Sequence, residues 1–149
     1  MSHTYTHLFV HVVFGTWDRA PLIAPQIRDE LFTYMGGLVR DTGAVPVIIN
    51  GVPDHEHMHV SMPPTLAVAV LVREVKANSS RWVHERWPDR KKFAWQGGYA
   101  AFGVSESVAP DVERYIGNQE ERHRKISFEQ EFRVLLKRHN IEFDERYLW

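Results

Sequence analysis

The chain has 149 residues, and its 18 Lys and Arg against 19 Asp and Glu leave a formal net charge of −1. This length suits one domain with a substantial core, and 44% hydrophobic with 25% charged residues excludes collagen-like, coiled-coil and wholly disordered proteins. No apolar run approaches the ~18 residues of a transmembrane helix. The first residues lack the layout of a signal peptide, and the absence of cysteine excludes disulfides and thiolate metal sites, so we expect a cytoplasmic protein.

The first half of the chain predicts a strand, an amphipathic helix and a β-hairpin, in that order. An alternation of apolar and mixed positions indicates the strand, and apolar residues at spacings of three and four indicate the helix. Two short alternating runs around a Gly-Val-Pro-Asp turn indicate the hairpin. The predicted elements are a strand at 4–17, a helix at 25–43 and hairpin strands at 45–50 and 55–62.

The second half predicts a helix, a strand and two further helices. Thr65 and Ser107 are predicted N-caps, because their hydroxyls precede helical patterns. Ser127 and Gln130 have the spacing of a capping box before a last amphipathic run. The predicted elements are a helix at 65–87, a loop at 88–98, a strand at 99–104, a helix at 108–124 and a helix after 127.

The order β-α-β-β-α-β followed by extra helices predicts an α+β, ferredoxin-like fold. We expect one antiparallel sheet with two helices on one face, an open second face, and a C-terminal helix that carries Tyr115. The whole chain, 1–149, is predicted to form a single domain. Its parts are a core at about 4–105, the tyrosine helix at about 107–125, and a C-terminal helix and tail at 127–149.

Three of the nine histidines occupy alternate positions, His55, His57 and His59. On a strand this spacing places the imidazoles on one face, about 7 Å apart from one to the next. Two neutral imidazoles can bind one divalent ion, and Asp54 just before them could fix the tautomer of a ring. A polar, solvent-exposed face of the sheet is the alternative interpretation.

A catalytic metal site needs a further ligand, and the predicted third helix offers Tyr115 and Gln119 on one face. The carbonyl oxygen of Gln119 suits a hard cation, and a tyrosine beside a metal can act as a nucleophile. Taken alone, this spacing favours the plainer interpretation, in which Tyr115 packs and Gln119 is solvated.

Six blocks of sequence resemble the insertion-sequence-200-like tyrosine transposases, which belong to the superfamily named for a His-hydrophobic-His motif. The blocks occur in the family's order and cover nearly the whole chain. They are residues 51–65, 71–82, 93–99, 101–105, 115–125 and 145–149.

The resemblance implies an enzyme that binds single-stranded DNA hairpins at element ends, and cuts and rejoins strands through a 5′-phosphotyrosine. It implies Tyr115 as the nucleophile, with His55, His57 and Gln119 holding Mg²⁺ or Mn²⁺. It also implies a homodimer, in which the tyrosine helix can complete the partner's site, and no membrane partner. A basic stretch at 73–92, with seven Lys and Arg against three Asp and Glu, and two residues outside it supply the expected DNA contacts. These contacts are Arg19, Arg73, Lys76, Arg81 and Arg122.

The chain departs from the family at Glu56, which stands between His55 and His57 where the family has a hydrophobic residue. The literal His-hydrophobic-His triplet ends at His59, which makes His59 an additional candidate ligand. A buried Glu56 is costly without a partner, and it favours the alternative of a non-catalytic hairpin-binding protein. A host-adopted enzyme that processes chromosomal repeat hairpins is a further alternative. A hydrolase unrelated to DNA is remote, because no carboxylate cluster accompanies the histidines.

Overall fold

The computed structural model describes residues 2–148, in which four antiparallel strands form one sheet with the order β2-β3-β1-β4. This confirms the predicted α+β, ferredoxin-like fold. Met1 and Trp149, which the predicted domain and the tail block include, lie outside the described residues. No helix in the described part of the chain has the length and apolar character needed to cross a bilayer. The strands are β1 Leu8–Gly15, β2 Val45–Val52, β3 His55–Met62 and β4 Ala100–Val104, and the helices are α1 Pro25–Asp41, α2 Val68–Arg86, α3 Ala109–Gly117, α4 Gln119–Arg122 and α5 Phe128–Arg138.

One face of the sheet packs against α1 and α2. Alternation along the paired central strands directs Val12 and Phe14 of β1, and Met58 and Val60 of β3, to this face. All four are fully buried, and burial of each such side chain contributes about 1.5–3 kcal/mol. The helices meet them with the apolar stripes that the sequence predicted. These stripes include Ile27, Leu31, Met35, Leu71 and Val75.

The second face of the sheet is covered by α5, which corrects the expectation that this face is open. Val13 of β1 and Phe102 of β4 belong to a second core cluster with the apolar side of α5. The capping box at Ser127 is present, since Ser127 Oγ accepts from the Gln130 amide and the Gln130 side chain accepts from the Ser127 amide. The pattern showed that α5 exists and is amphipathic, but not which surface it covers.

The predicted third helix is interrupted at Asn118, where φ is −98° and ψ is 18°. As a result, Tyr115 lies on α3 and Gln119 on α4. Hydrogen bonds from the Asn118 amide to the carbonyls of Arg114 and Tyr115 continue the chain direction through the break. The two side chains therefore still point to the same side.

Neither Thr65 nor Ser107 is an N-cap, which corrects two predicted helix starts. α2 begins after Ala67, and no side chain caps it. Ser107 instead lies in a short 3₁₀ turn, Glu106–Val108, that precedes α3. Proline in the first turn of α3 suits a helix start there, because a first-turn residue needs no intrahelical amide bond.

Candidate active site

Strand β3 places three imidazoles on the face of the sheet that α5 covers. His55, His57 and His59 are at most 1% exposed, so the interpretation of a solvent-exposed polar face is wrong. Pairing with β1 brings a fourth ring to this face, because His11 Nε2 lies 2.8 Å from His57 Nδ1. The ring of Phe128 from α5 stacks on His55 with centroids 3.8 Å apart.

The fully buried Glu131 of α5 lies at the centre of these rings. Its Oε1 is 3.2 Å from His55 Nε2 and 3.0 Å from His57 Nε2. The same oxygen is 3.1 Å from Nε2 of His123, which follows α4. One ligand atom from each of these four residues lies within 4.8 Å of the other three.

The second carboxylate oxygen of Glu131 brings the tyrosine to the same centre. The hydroxyl of Tyr115 donates to Oε2, and Gln119 Nε2 donates to it at 3.1 Å. Arg122 Nε lies 3.3 Å from Oε2, and its guanidinium lies over the Tyr115 ring, 4.8 Å from the centroid. Tyr115 is partly buried with its hydroxyl in the site, so simple packing does not describe it.

The electrostatics of the site follow from burial and from this hydrogen bonding. Burial opposes the charge of Glu131, but hydrogen bonds from His123, His55 and His57 outweigh it and hold the pKa of Glu131 well below its ordinary value. Burial, together with the charge of Glu131, raises the pKa of Tyr115 well above its ordinary value. Burial lowers the pKa of His57 to about 4, which keeps this ring neutral at pH 7.

The donor set fits a divalent cation. Three imidazole nitrogens and one carboxylate oxygen converge inside the protein, and these are the ligand types that divalent transition ions bind. Paired rings on a rigid strand also satisfy the need for preorganised ligands.

The structure brings together the predicted residues Tyr115, His55, His57 and Gln119. It leaves His59 outside the group of ligand atoms that converge on Glu131. The His59 ring lies 5.0 Å from Phe9 between centroids, and within the described residues neither of its nitrogens makes a hydrogen bond.

The sequence interpretation missed His123 and Glu131. The sequence interpretation expected no carboxylate cluster beside the histidines, and the structure adds a single carboxylate there, because Glu131 contacts both His55 and His57. One signal was available in the sequence. Glu131 falls within the apolar stripe of the last helix, next to Phe132, and a charged residue on a buried stripe suggests a specific partner.

The side chain of Glu56 points to the other face, toward α2, and is fully buried. Neither of its oxygens makes a hydrogen bond in the part of the chain described. Burial raises the pKa of Glu56 well above its ordinary value, and the Lys76 ammonium and the Phe14 amide offset only part of this effect. Lys76 itself donates to the carbonyls of Gln96 (2.8 Å) and Gly98, so it ties the loop before β4 to α2.

The residues expected to contact DNA lie on opposite faces of the sheet. Arg19 follows β1 and lies 3.5 Å from Glu129 of α5, while Arg122 lies over the Tyr115 ring. The other three are on α2, across the sheet from the site, and Lys76 would have to release its carbonyl partners to bind a phosphate. These three are Arg73, Lys76 and Arg81.

A ferredoxin-like sheet that carries strand histidines, a helix tyrosine and a divalent-ion ligand set is the arrangement expected of a tyrosine transposase. The family model described as "Transposase IS200 like" matches residues 4–119, and the chain belongs to this family of transposases, whose activity is DNA strand transfer.

Relatives of the chain agree with this assignment. It is 23% identical over 117 residues to the ISDra2 transposase TnpA of Deinococcus radiodurans, which covers 75% of this chain and 84% of that protein. A crystal structure of a presumed transposase from D. radiodurans R1 has a TM-score of 0.63 and 22% identity, covering 80% and 96% of the two chains. A REP-associated tyrosine transposase bound to a REP hairpin has a TM-score of 0.52 and 15% identity, covering 78% and 68%. At these identities the two structures show a shared fold.

Proposed function

We propose that this transposase cuts and rejoins single-stranded DNA at hairpin-bearing ends through a covalent bond to Tyr115. One observation carries the proposal: a phenol from α3 and imidazoles from β3 meet at a single carboxylate. The Tyr115 hydroxyl donates to one oxygen of Glu131, and the other oxygen lies 3.0 Å from His57 Nε2. Phosphoryl transfer depends mainly on such positioning and on charge stabilisation.

In the proposed reaction, the Oη of Tyr115 attacks the scissile phosphorus. The Oη–P bond forms as the P–O3′ bond breaks, and the leaving oxygen takes up a proton to become a 3′-hydroxyl. Because its pKa is raised, the phenol enters protonated, and its hydrogen bond to Glu131 orients Oη toward the phosphorus; the phenol releases its proton to solvent as the Oη–P bond forms. The 5′-phosphotyrosine conserves the bond energy, so a second 3′-hydroxyl can reverse the step without a nucleotide cofactor.

We propose that His55 and His57 hold a divalent cation, Mg²⁺ or Mn²⁺, beside Gln119. Such an ion would neutralise the charge that develops on the phosphate oxygens. The chain orients its ligands from outside: Asp54 Oδ1 lies 2.7 Å from His55 Nδ1, and His11 contacts His57 Nδ1. Arg122, over the tyrosine ring, places a further positive charge next to the nucleophile.

DNA hairpins and a second copy of the chain are the proposed partners. The relative solved with a REP hairpin supports hairpin recognition. We propose that residues 1–149 act as one domain within a homodimer. The contact of Tyr115 with its own chain's Glu131 supports a resting state in which each site is built from one chain.

Formation of a covalent adduct tests this function. Purified protein is incubated with Mn²⁺ and labelled single-stranded DNA that carries the hairpins flanking its own gene. We expect a protein–DNA adduct that resists denaturing electrophoresis. Tyr115→Phe should reduce the adduct by at least about 1,000-fold, because it removes the nucleophile. Tyr147→Phe is the matched control, since Tyr147 is 75% exposed and remote in sequence from the site.

Two outcomes would contradict the proposal: an adduct that persists in Tyr115→Phe, or no adduct on any flanking DNA. A non-catalytic hairpin-binding protein is the second candidate, and the buried Glu56, whose oxygens make no hydrogen bond to any described residue, favours it. Hairpin binding that continues in EDTA, without cleavage under any metal condition, would support that candidate. A host-adopted role would show in the flanking DNA as chromosomal repeat hairpins rather than element ends.

A further inference from the structure

We infer that His123 and Glu131 are direct ligands of the cation, together with His55 and His57, in a four-ligand centre for a nitrogen-preferring transition ion. In this arrangement Gln119 orients Glu131 and is not the third ligand. The role of the ion in catalysis rests on the proposed function. The choice of ligands rests on the hydrogen bonds around the rings.

The outer nitrogens of two rings fix their tautomers. His55 Nδ1 lies 2.7 Å from a carboxylate oxygen of Asp54, and His123 Nδ1 lies 2.9 Å from the Ile126 carbonyl. An ionised carboxylate and a carbonyl can only accept hydrogen bonds, so both Nδ1 atoms carry the hydrogen. In the neutral rings the inner nitrogen, Nε2, therefore presents a lone pair to the centre of the site.

The third ring can take the same tautomer. His57 Nδ1 lies 2.8 Å from His11 Nε2, so His57 can donate outward to His11. That leaves the Nε2 of His57 as an inward lone pair as well. His11 thus fixes the tautomer of His57, as Asp54 fixes the tautomer of His55. Such a hydrogen bond to the outer nitrogen is usual for metal-bound imidazoles.

The three inward nitrogens face another acceptor. They lie 3.0–3.2 Å from Oε1 of Glu131, and His55, His57 and Glu131 are fully buried. Lone pairs that face a carboxylate oxygen repel it unless positive charge lies among them. Protons on the rings supply this charge when the rings donate hydrogen bonds to Glu131, and a cation would supply it when the rings are neutral. One divalent ion would accept all four ligand atoms, which lie within 4.8 Å of one another.

Gln119 is placed to hold the carboxylate. Its Nε2 donates to Glu131 Oε2 at 3.1 Å, while its Oε1 lies 3.0 Å from His123 Nε2 and 3.3 Å from His55 Nε2. Glu131 offers a full negative charge to a cation, and an amide offers only a dipole. Where both are within reach of the same rings, the carboxylate is the stronger ligand.

The donor set also narrows the class of ion. Three imidazoles and one carboxylate suit Zn²⁺, Co²⁺, Ni²⁺ and Mn²⁺, whereas Mg²⁺ prefers oxygen ligands and retains several waters. We expect Zn²⁺ and Co²⁺ to bind more tightly than Mn²⁺, and Mg²⁺ to bind at least about 100-fold more weakly than Co²⁺.

Titration of the full chain with Co²⁺ tests the ligand set without DNA. Protein stripped by a chelator is titrated with Co²⁺, whose visible spectrum reports the nitrogen ligands, and Zn²⁺, Mn²⁺ and Mg²⁺ then compete. We expect one ion per chain. Glu131→Gln and His123→Ala should each weaken Co²⁺ binding at least about 100-fold, and Gln119→Ala about tenfold, as expected for an orienting residue. His59→Ala, on the same strand, should leave binding unchanged.

A Gln119→Ala variant that loses Co²⁺ while Glu131→Gln retains it would overturn the inference. Thermal unfolding of each metal-free variant shows whether it is folded. If a variant is unfolded, the wild-type protein supplies the test instead. In long-range ¹H–¹⁵N NMR spectra, the Nε2 resonances of His55, His57 and His123 should all shift when Zn²⁺ binds. A shift in only two rings would contradict the inference.

The two proposals can fail separately. Adduct formation at wild-type levels with unaltered Co²⁺ binding in His123→Ala would refute the four-ligand centre and leave the tyrosine chemistry standing. Four-ligand Co²⁺ binding in a protein that never forms an adduct would refute the tyrosine chemistry and leave the four-ligand centre standing.

Discussion

Glu56 destabilises the core without disturbing the site formed by its neighbours in sequence. Glu56 follows His55 and precedes His57, yet strand alternation directs it to the opposite face of the sheet. There it is fully buried, with both carboxylate oxygens lacking hydrogen bonds among the residues described. A buried polar group without a partner destabilises the folded state.

Glu56→Met should therefore stabilise the metal-free protein, and more so at higher pH. In the unfolded chain Glu56 loses its proton near its ordinary pKa of 4.5, while burial raises the pKa in the folded state. As pH rises above 4.5, the unfolded state loses its proton first, so the wild type loses stability relative to the variant. We expect a gain of about 1–3 kcal/mol in the free energy of unfolding at pH 8, and a smaller gain at pH 5.

Urea unfolding at the two pH values measures this difference. Glu85→Met, at an exposed position of α2, is the matched control and should show no gain that grows with pH. An equal change for Glu56→Met at both pH values would show that the carboxyl does not titrate differently in the two states.

At the scale of elements, α5 links folding of the C-terminal region to assembly of the site. Its apolar side completes the second core cluster through Phe132, Leu135 and Leu136, and the same helix delivers Glu131 to the histidines. A residue that strengthens the start of α5 therefore also helps to hold the carboxylate in place. Ser127 is that residue, because its hydroxyl accepts from the third amide of the helix.

Ser127→Ala should lower the free energy of unfolding by about 1 kcal/mol, because it leaves an amide of the first turn without its acceptor. Ser107→Ala is the matched control. Ser107 is exposed and caps no helix, so its loss should cost less than about 0.5 kcal/mol. Urea denaturation of both variants measures the difference, and equal costs would show that the capping box adds nothing.

At the scale of the whole molecule, positive charge is arranged on two sides of a nearly neutral protein. The net charge is −1, so attraction to DNA must come from local groups. Arg19 and Arg122 lie on the side of the site, and Arg73 and Arg81 on α2 lie across the sheet. This distribution favours separate contacts for the cleaved strand and for another part of the DNA.

Each arginine that neutralises a phosphate should contribute to the salt dependence of the DNA-binding constant. Substitution of such an arginine by alanine should reduce the slope of log K against log salt by about 1, because one phosphate then keeps its counterion. Fluorescence anisotropy with a labelled hairpin measures the slope for Arg19→Ala, Arg122→Ala, Arg73→Ala and Arg81→Ala. Arg40→Ala, at the exposed end of α1, is the control. A variant whose slope equals that of the wild type would show that its arginine does not bind a phosphate.

Local patterns in the sequence were sufficient for much of the fold. The bounds of β3 and the capping box at Ser127 were predicted correctly, because strand alternation and helix capping are properties of neighbouring residues. The family was also recognisable from contiguous blocks. The break at Asn118 was missed, since Tyr115 and Gln119 fit one helix by spacing alone.

The sequence by itself thus determined the order of elements, the family and the residues His55, His57 and Tyr115 as candidates. Only the tertiary structure decided where α5 docks, and with it the presence of His123 and Glu131 beside those residues. Glu131 is 76 positions from His55 along the chain, and local periodicity carries no information about a contact at that separation. Such a contact follows from how apolar surfaces pack, which brings distant polar groups together as a consequence.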